Sequence, residues 1–134
     1  MTIRYVKESD RAFWYSLDRH LPEEEFIKKV RDKMGYIAEE NGMPVGILRY
    51  SLFWDNTPFL NLLFVDWNVQ KQGYGTALME YWENEMREKD YKEVLLSTQV
   101  DEDAQHFYRK LGYRDCGCLN LEGQAMEMFM IKAL

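Results

Sequence analysis

One stretch limits the fold more than any other. The nearly unbroken apolar run Phe59-Leu60-Asn61-Leu62-Leu63-Phe64-Val65 is followed by a polar loop and then by Gly73-Tyr74-Gly75. The run reads as a central strand buried on both faces. Beyond Gly73, Leu78, Trp82 and Met86 recur at helical spacing and predict a helix to about Lys89. Leu78, Trp82 and Met86 would be its buried stripe, and Glu80, Glu83, Glu85, Arg87 and Glu88 its water-facing side. Val94 to Gln99 is a second apolar strand. A strand–helix–strand crossover places its two strands parallel, so the chain must build a sheet with at least one parallel pair.

The flanking segments add antiparallel strands. Ile3 to Val6 reads as a first strand. Ser9 can cap a helix running to about Arg19, with Asp10 at its positive end. Pro22 suits a first helical position, Glu23, Glu24 and Glu25 fill the first turn, and Phe26, Ile27, Val30 and Met34 form a stripe that Gly35 ends. Tyr36 to Glu39 and Val45 to Trp54 are strands around the hairpin turn Asn41-Gly42. Asp55-Asn56-Thr57-Pro58 is the next turn. Asp103 caps a helix through Lys110 that Gly112 ends, and Tyr113 to Leu121 and Met126 to Ile131 are two strands joined near Glu122-Gly123. The order β-α-α-β-β-β-α-β-α-β-β gives an α+β fold of the three-layer α/β/α type. Its centre is a single mixed, mostly antiparallel sheet of about seven strands, in one domain over residues 1–134.

Charge and cysteine content narrow the function. The chain has 17 basic and 23 acidic residues, a net charge of −6. Such a balance argues against nucleic acid, whose binding leans on phosphate neutralisation, and favours a cationic partner such as an amine. No apolar run approaches the roughly 20 residues of a membrane span, and Met1-Thr2-Ile3-Arg4-Tyr5 lacks the apolar region of a secretory signal. Two cysteines, Cys116 and Cys118, build no disulfide framework and fit a reducing, cytoplasmic setting. With His20 and His106 they match no zinc spacing, so no metal is expected. Cys116-Gly117-Cys118 on a strand reads as packing, with both thiols on one face.

The loop before the long helix carries the chemistry. A helix start leaves several backbone N–H groups unpaired at the positive end of the dipole, which makes an anion site suited to pyrophosphate. Gly73 and Gly75 leave room for close approach, Thr76 adds a hydroxyl, and Lys71 a charge. The phosphate loop G-x-x-x-x-G-K-[ST] is absent, and the dinucleotide pattern G-x-G-x-x-G fails because its last position is Leu78. What stands here is Gln70-x-x-Gly73-x-Gly75, between a buried strand and an amphipathic helix. The wording Gln70-Lys71-Gln72-Gly73-Tyr74-Gly75-Thr76 resembles the acyl-CoA-binding motif [R/Q]-x-x-G-x-[G/A] of the GNAT superfamily of N-acetyltransferases. A second stretch, Asp101-x-x-Ala104-x-x-x-Tyr108-x-x-x-Gly112-Tyr113, is similar to the family's N-x-x-A-x-x-x-Y-x-x-x-G-[F/Y], with Asp for Asn at the first position.

That resemblance implies an acetyl-CoA-dependent N-acetyltransferase acting on a primary amine, either small or on a peptide or protein. A non-catalytic acyl-CoA sensor of the same fold is the alternative. The sheet would splay after Phe59–Val65 and admit acetyl-CoA. The pyrophosphate would meet Gln70, Lys71, Gln72, Gly73, Tyr74, Gly75 and Thr76. The pantetheine arm would lie along Leu63 and Val65, with Ala104 and Tyr108 covering the other side. A backbone N–H near Val65 would hold the developing oxyanion, and Tyr108 would be the general acid for the leaving thiolate. Such domains are often homodimers. Histone-modifying relatives often carry a Glu where this chain has Phe59, so the base is unassigned among Asn61 through a water, Asp66, Glu39, His106 and Asp101, or bulk solvent. Trp54, Trp67, Phe53 and Met126, near strand ends, are core or rim, and one or two could line an acceptor groove.

Overall fold

The computed structural model describes residues 1–134. Strand β1 is Thr2–Tyr5, followed by a 3-10 turn at Glu8–Asp10 and helices α1 (Arg11–Leu17) and α2 (Glu23–Asp32). Strands β2 (Gly35–Glu40), β3 (Met43–Phe53) and β4 (Thr57–Val65) form a meander. A 3-10 turn at Trp67–Val69 leads to α3 (Tyr74–Glu88), then β5 (Glu93–Gln99), α4 (Ala104–Lys110), β6 (Arg114–Leu119) and β7 (Glu127–Ala133). The seven strands make one sheet in the order β1-β2-β3-β4-β5-β7-β6. Only β4 and β5, the pair joined through α3, run parallel.

Two cores give the three layers. Tyr36, Leu48, Tyr50, Leu96 and Met130 pack from the sheet against Leu78, Trp82 and Met86 of α3. On the opposite face Val6, Ile37 and Ile47 pack with Trp14 of α1 and Phe26 of α2. Neighbouring strand residues divide between the two cores, as the two-residue period of a strand requires. The hairpin turn is as expected, with Asn41 and Gly42 both at positive φ (53° and 78°).

The expectation that β4 is buried on both faces holds only near its start. Leu60 is buried, Asn61 is exposed, and Leu62 to Val65 are half-buried. The cause is a bulge: Arg49 of β3 pairs with Leu62 and Tyr50 with Leu60, leaving Asn61 as the extra residue. A bulge bends its strand. Pairing with β5 is accordingly confined to Phe59–Leu95 and Leu60–Leu96, and the sheet opens beyond them.

Local details differ from the sequence reading at several points. Ser9 is not the cap of the first helix. Asp10 stands at the N-cap, but its side chain makes no bond into α1: it accepts the Lys7 N–H at 2.7 Å, closing the preceding 3-10 turn, while two Arg4 nitrogens hold its oxygens at 2.8 Å. Gly35 does not end α2. Lys33 takes the left-handed conformation (φ 58°), and Gly35 opens β2, where a Cβ would lie 2.9 Å from Val6. Thr57 and Pro58 belong to β4, and the preceding turn is made by Trp54 and Asp55 at positive φ. Glu83 does not face water: it is buried, and accepts from the Tyr113 hydroxyl at 2.8 Å and from Lys132 Nζ at 2.7 Å. Cys116 and Cys118 are exposed rather than packed, because β6 is the sheet edge and all six of its residues are exposed.

Candidate active site

The opening between β4 and β5 is a cleft of about 520 Å³. Leu63 and Val65 form one wall, and Ala104, Phe107 and Tyr108 of α4 the other. Its floor is the loop and first turn of α3, with Gln70, Lys71, Gly73, Tyr74, Gly75 and Thr76.

Each part has a local cause. The Asp66 N–H donates to the Val45 carbonyl of β3 at 2.8 Å. Successive backbone groups in a strand alternate in direction, so those of Val65 and Leu63 face the edge that β5 has left. A chain-like ligand can pair there as an added strand would. After β4, the Asp66 carboxylate accepts from the Asn68 N–H at 3.0 Å and holds the 3-10 turn. The Gln70 amide then donates to the Val65 carbonyl at 3.0 Å and folds the loop back over the strand end.

Gly73 caps α3 in the left-handed conformation (φ 87°), which favours glycine. The first helical bond runs from the Ala77 N–H to the Gly73 carbonyl, so the N–H groups of Tyr74, Gly75 and Thr76 have no helical acceptor. Lys71 makes no ion pair and brings its charge to the same place. A Cβ on Gly75 would stand 3.5 Å from Phe107 Cζ and 3.8 Å from Leu63, so this glycine keeps the cleft open between its walls. Unpaired donors, a helix dipole, a lysine and a glycine-lined floor form an anion cradle.

Tyr108 is buried, with its ring edge-on to Phe107 (5.2 Å) and Tyr113 (6.0 Å). Its hydroxyl has no hydrogen-bond partner in the chain, although the residue lines the cleft. Burial raises its pKa above the ordinary phenol value, and the Glu102 carboxylate adds to the effect. It therefore stays protonated at neutral pH and can donate to an anion formed in the cleft.

All the residues expected at the cofactor line the cleft except Gln72, which is exposed in the loop. Phe107 was not among them. Only the turn of α4 brings it opposite Gly75. None of the candidate bases lines the cleft. Glu39 is bonded to Arg4, Asp66 holds its turn, and Asp101 and His106 are exposed. Phe59 stacks on Phe53 and Phe129. No three His, Cys, Asp or Glu side chains gather where they could hold a metal ion, and no helix is long and apolar enough to cross a membrane.

A mixed sheet that splays at a bulge beside a glycine-opened helix defines an acyltransferase-type α+β fold with an anion cradle in the splay. Residues 3–113 match the model of the Acetyltransferase (GNAT) family, and the chain belongs to that family. The structure is similar to that of a ribosomal-protein-alanine N-acetyltransferase from Brucella melitensis, with a TM-score of 0.86 and 21% identity over 100% of both chains. It is also similar to a putative streptothricin acetyltransferase from Bacillus anthracis in complex with acetyl coenzyme A. That match has a TM-score of 0.68 and 21% identity, over 75% of this chain and 61% of the other. The uncharacterized protein YxbD of Bacillus subtilis is 34% identical over 84 residues, 62% of this chain; the match spans half of that relative's length.

Proposed function

We propose that this chain is an N-acetyltransferase that binds acetyl-CoA in the β4–β5 cleft and passes the acetyl group to a primary amine. The observation that carries this reading is the convergence of two features on one cleft. The anion cradle of Lys71 and the Tyr74–Thr76 N–H groups lies at one end, and the unpartnered Tyr108 hydroxyl lines the wall. These features fit a pyrophosphate and a thioester on one ligand. The co-substrate supplies an activated acyl group when bound.

In this reading the cradle binds the pyrophosphate, and the arm lies along Leu63 and Val65, aligned by the open-edge backbone groups of Leu63. The Val65 N–H faces the same edge and holds the negative charge that grows on the thioester carbonyl oxygen. Tyr108 donates a proton or a hydrogen bond to the sulfur as the C–S bond breaks. No carboxylate or imidazole lines the cleft, and in this reading the amine loses its proton to solvent. A reducing, cytoplasmic location is supported by two free, exposed cysteines. The exposed edge of β6 supports pairing with a second copy.

The test is thiol release from acetyl-CoA with a panel of amines and peptides, with mass spectrometry to locate the acetyl group. Binding without thiol release from any amine would favour the sensor alternative. Absence of acetyl-CoA binding would overturn the reading.

A further inference from the structure

A second cavity, of about 450 Å³, lies on the other face of β4. Leu62 and Phe64 line it, alternating along the strand with Leu63 and Val65 of the acetyl-CoA cleft, so β4 is a wall common to both. Its remaining surface comes from the end of α1, from residues 18–20 that follow it, and from Trp67, which is edge-on to Phe64 at 5.3 Å and 73% exposed. The floor is therefore apolar and aromatic.

The rim carries an unpaired cation, although the chain as a whole is acidic. Arg19 and His20 stand on it. Arg19 has no carboxylate partner, whereas six of the eight arginines do, in a chain with acids in excess. The cavity's one carboxylate, Asp18, has no exposed side-chain surface. It accepts from Arg49 Nε at 2.7 Å, Trp14 Nε1 at 3.1 Å and the His20 N–H at 3.2 Å, so it is no attractant for a cation. Those bonds, with the Tyr15 hydroxyl on the Leu21 carbonyl at 2.8 Å, fix the loop that presents Arg19. An exposed guanidinium with no partner, carried on a fixed loop beside an apolar floor, suits a carboxylate attached to an apolar body.

We infer that this cavity selects the acceptor, taking a small primary amine that bears an apolar side chain and a carboxylate, an apolar amino acid, with Arg19 as the carboxylate's partner. The inference rests on the acetyl-transfer reading. It replaces the cationic acceptor that the net charge of −6 suggested, because the cavity's one carboxylate is paired with Arg49 and its Arg19 is unpaired.

The test compares phenylalanine with phenethylamine, leucine with isopentylamine, and both pairs with spermidine, in the thiol-release assay. The amino acids should exceed their decarboxylated partners by at least about tenfold in kcat/KM. Arg19→Gln should remove that preference through the KM for the amino acid and leave the KM for acetyl-CoA unmoved. Preference for phenethylamine or spermidine overturns the inference and leaves acetyl transfer standing, as does an unchanged preference in Arg19→Gln. If no amine is turned over, calorimetric titration of phenylalanine into the wild type and Arg19→Gln, with and without CoA, decides. Binding that Arg19→Gln abolishes supports the cavity's role, and absence of binding overturns it. Failure of acetyl-CoA itself to bind is the separate failure of the acetyl-transfer reading.

Discussion

The side-chain amide of Gln70 donates to the backbone carbonyl of Val65 at 3.0 Å. This one bond ties the loop that opens α3 to the end of β4, the strand proposed to align the ligand. Gln70→Ala should loosen the loop and weaken acetyl-CoA binding about fivefold, the worth of a hydrogen bond of roughly 1 kcal/mol. Gln70→Glu should weaken it further, since a carboxylate is repelled by both the carbonyl and the bound phosphates. Calorimetric titration of acetyl-CoA checks both variants.

The two glycines of the loop should fail differently. Gly73 has open space around a prospective Cβ but a φ of 87°, so Gly73→Ala should cost about 1–2 kcal/mol of stability through backbone strain alone. Gly75 is an ordinary helical residue whose Cβ would face Phe107 and Leu63. Gly75→Leu should leave the melting temperature nearly unchanged and abolish acetyl-CoA binding by filling the cleft. Thermal denaturation beside the binding titration separates the two effects.

Tyr108→Phe removes a hydroxyl that no other residue uses. Thiol release should fall about 100-fold or more, with acetyl-CoA affinity retained. Because burial and Glu102 raise the phenol pKa, the wild-type rate should show no loss from Tyr108 ionisation up to about pH 10, the ordinary phenol value. A pH–rate profile of the two proteins reads this directly.

Acid stability should depend on Arg4. Burial alone would raise the Asp10 pKa, but the Arg4 guanidinium and the Lys7 N–H outweigh it and lower the folded value. A lowered folded pKa gives stability that is present above the unfolded value, near 3.8, and is lost as pH falls through the folded one. Arg4→Met should shift acid unfolding to higher pH, as followed by circular dichroism.

Arg49→Met should cost about 3–5 kcal/mol, because it leaves the buried Asp18 carboxylate without its cation. Chemical denaturation measures the loss. The double variant Asp18→Asn with Arg49→Met should recover part of it.

The element order was legible because strand and helix periods alternate cleanly, and the loop because its glycines stand between an apolar strand and a striped helix. The bulge at Asn61 was not. One polar residue in an apolar run does not announce that it breaks the alternation, and that break turns an expected two-sided strand into the wall of a cleft. Glu83 read as solvent-facing because its partners, Tyr113 and Lys132, lie 30 and 49 residues away. Phe107 carries no mark in the sequence, because the turn of α4 is what sets it opposite Gly75. Net charge likewise misreads the second cavity, where Asp18 is neutralised by Arg49 and Arg19 is left free.

Acetyl transfer itself is tested most directly by incubating the wild-type chain with acetyl-CoA and the amine panel, and counting free thiol against acetylated amine by mass spectrometry. The predicted result is one acetylated amine per thiol released, with the rate cut in Tyr108→Phe. Thiol release in the absence of any acetylated amine, or a rate unchanged by Tyr108→Phe, would contradict it.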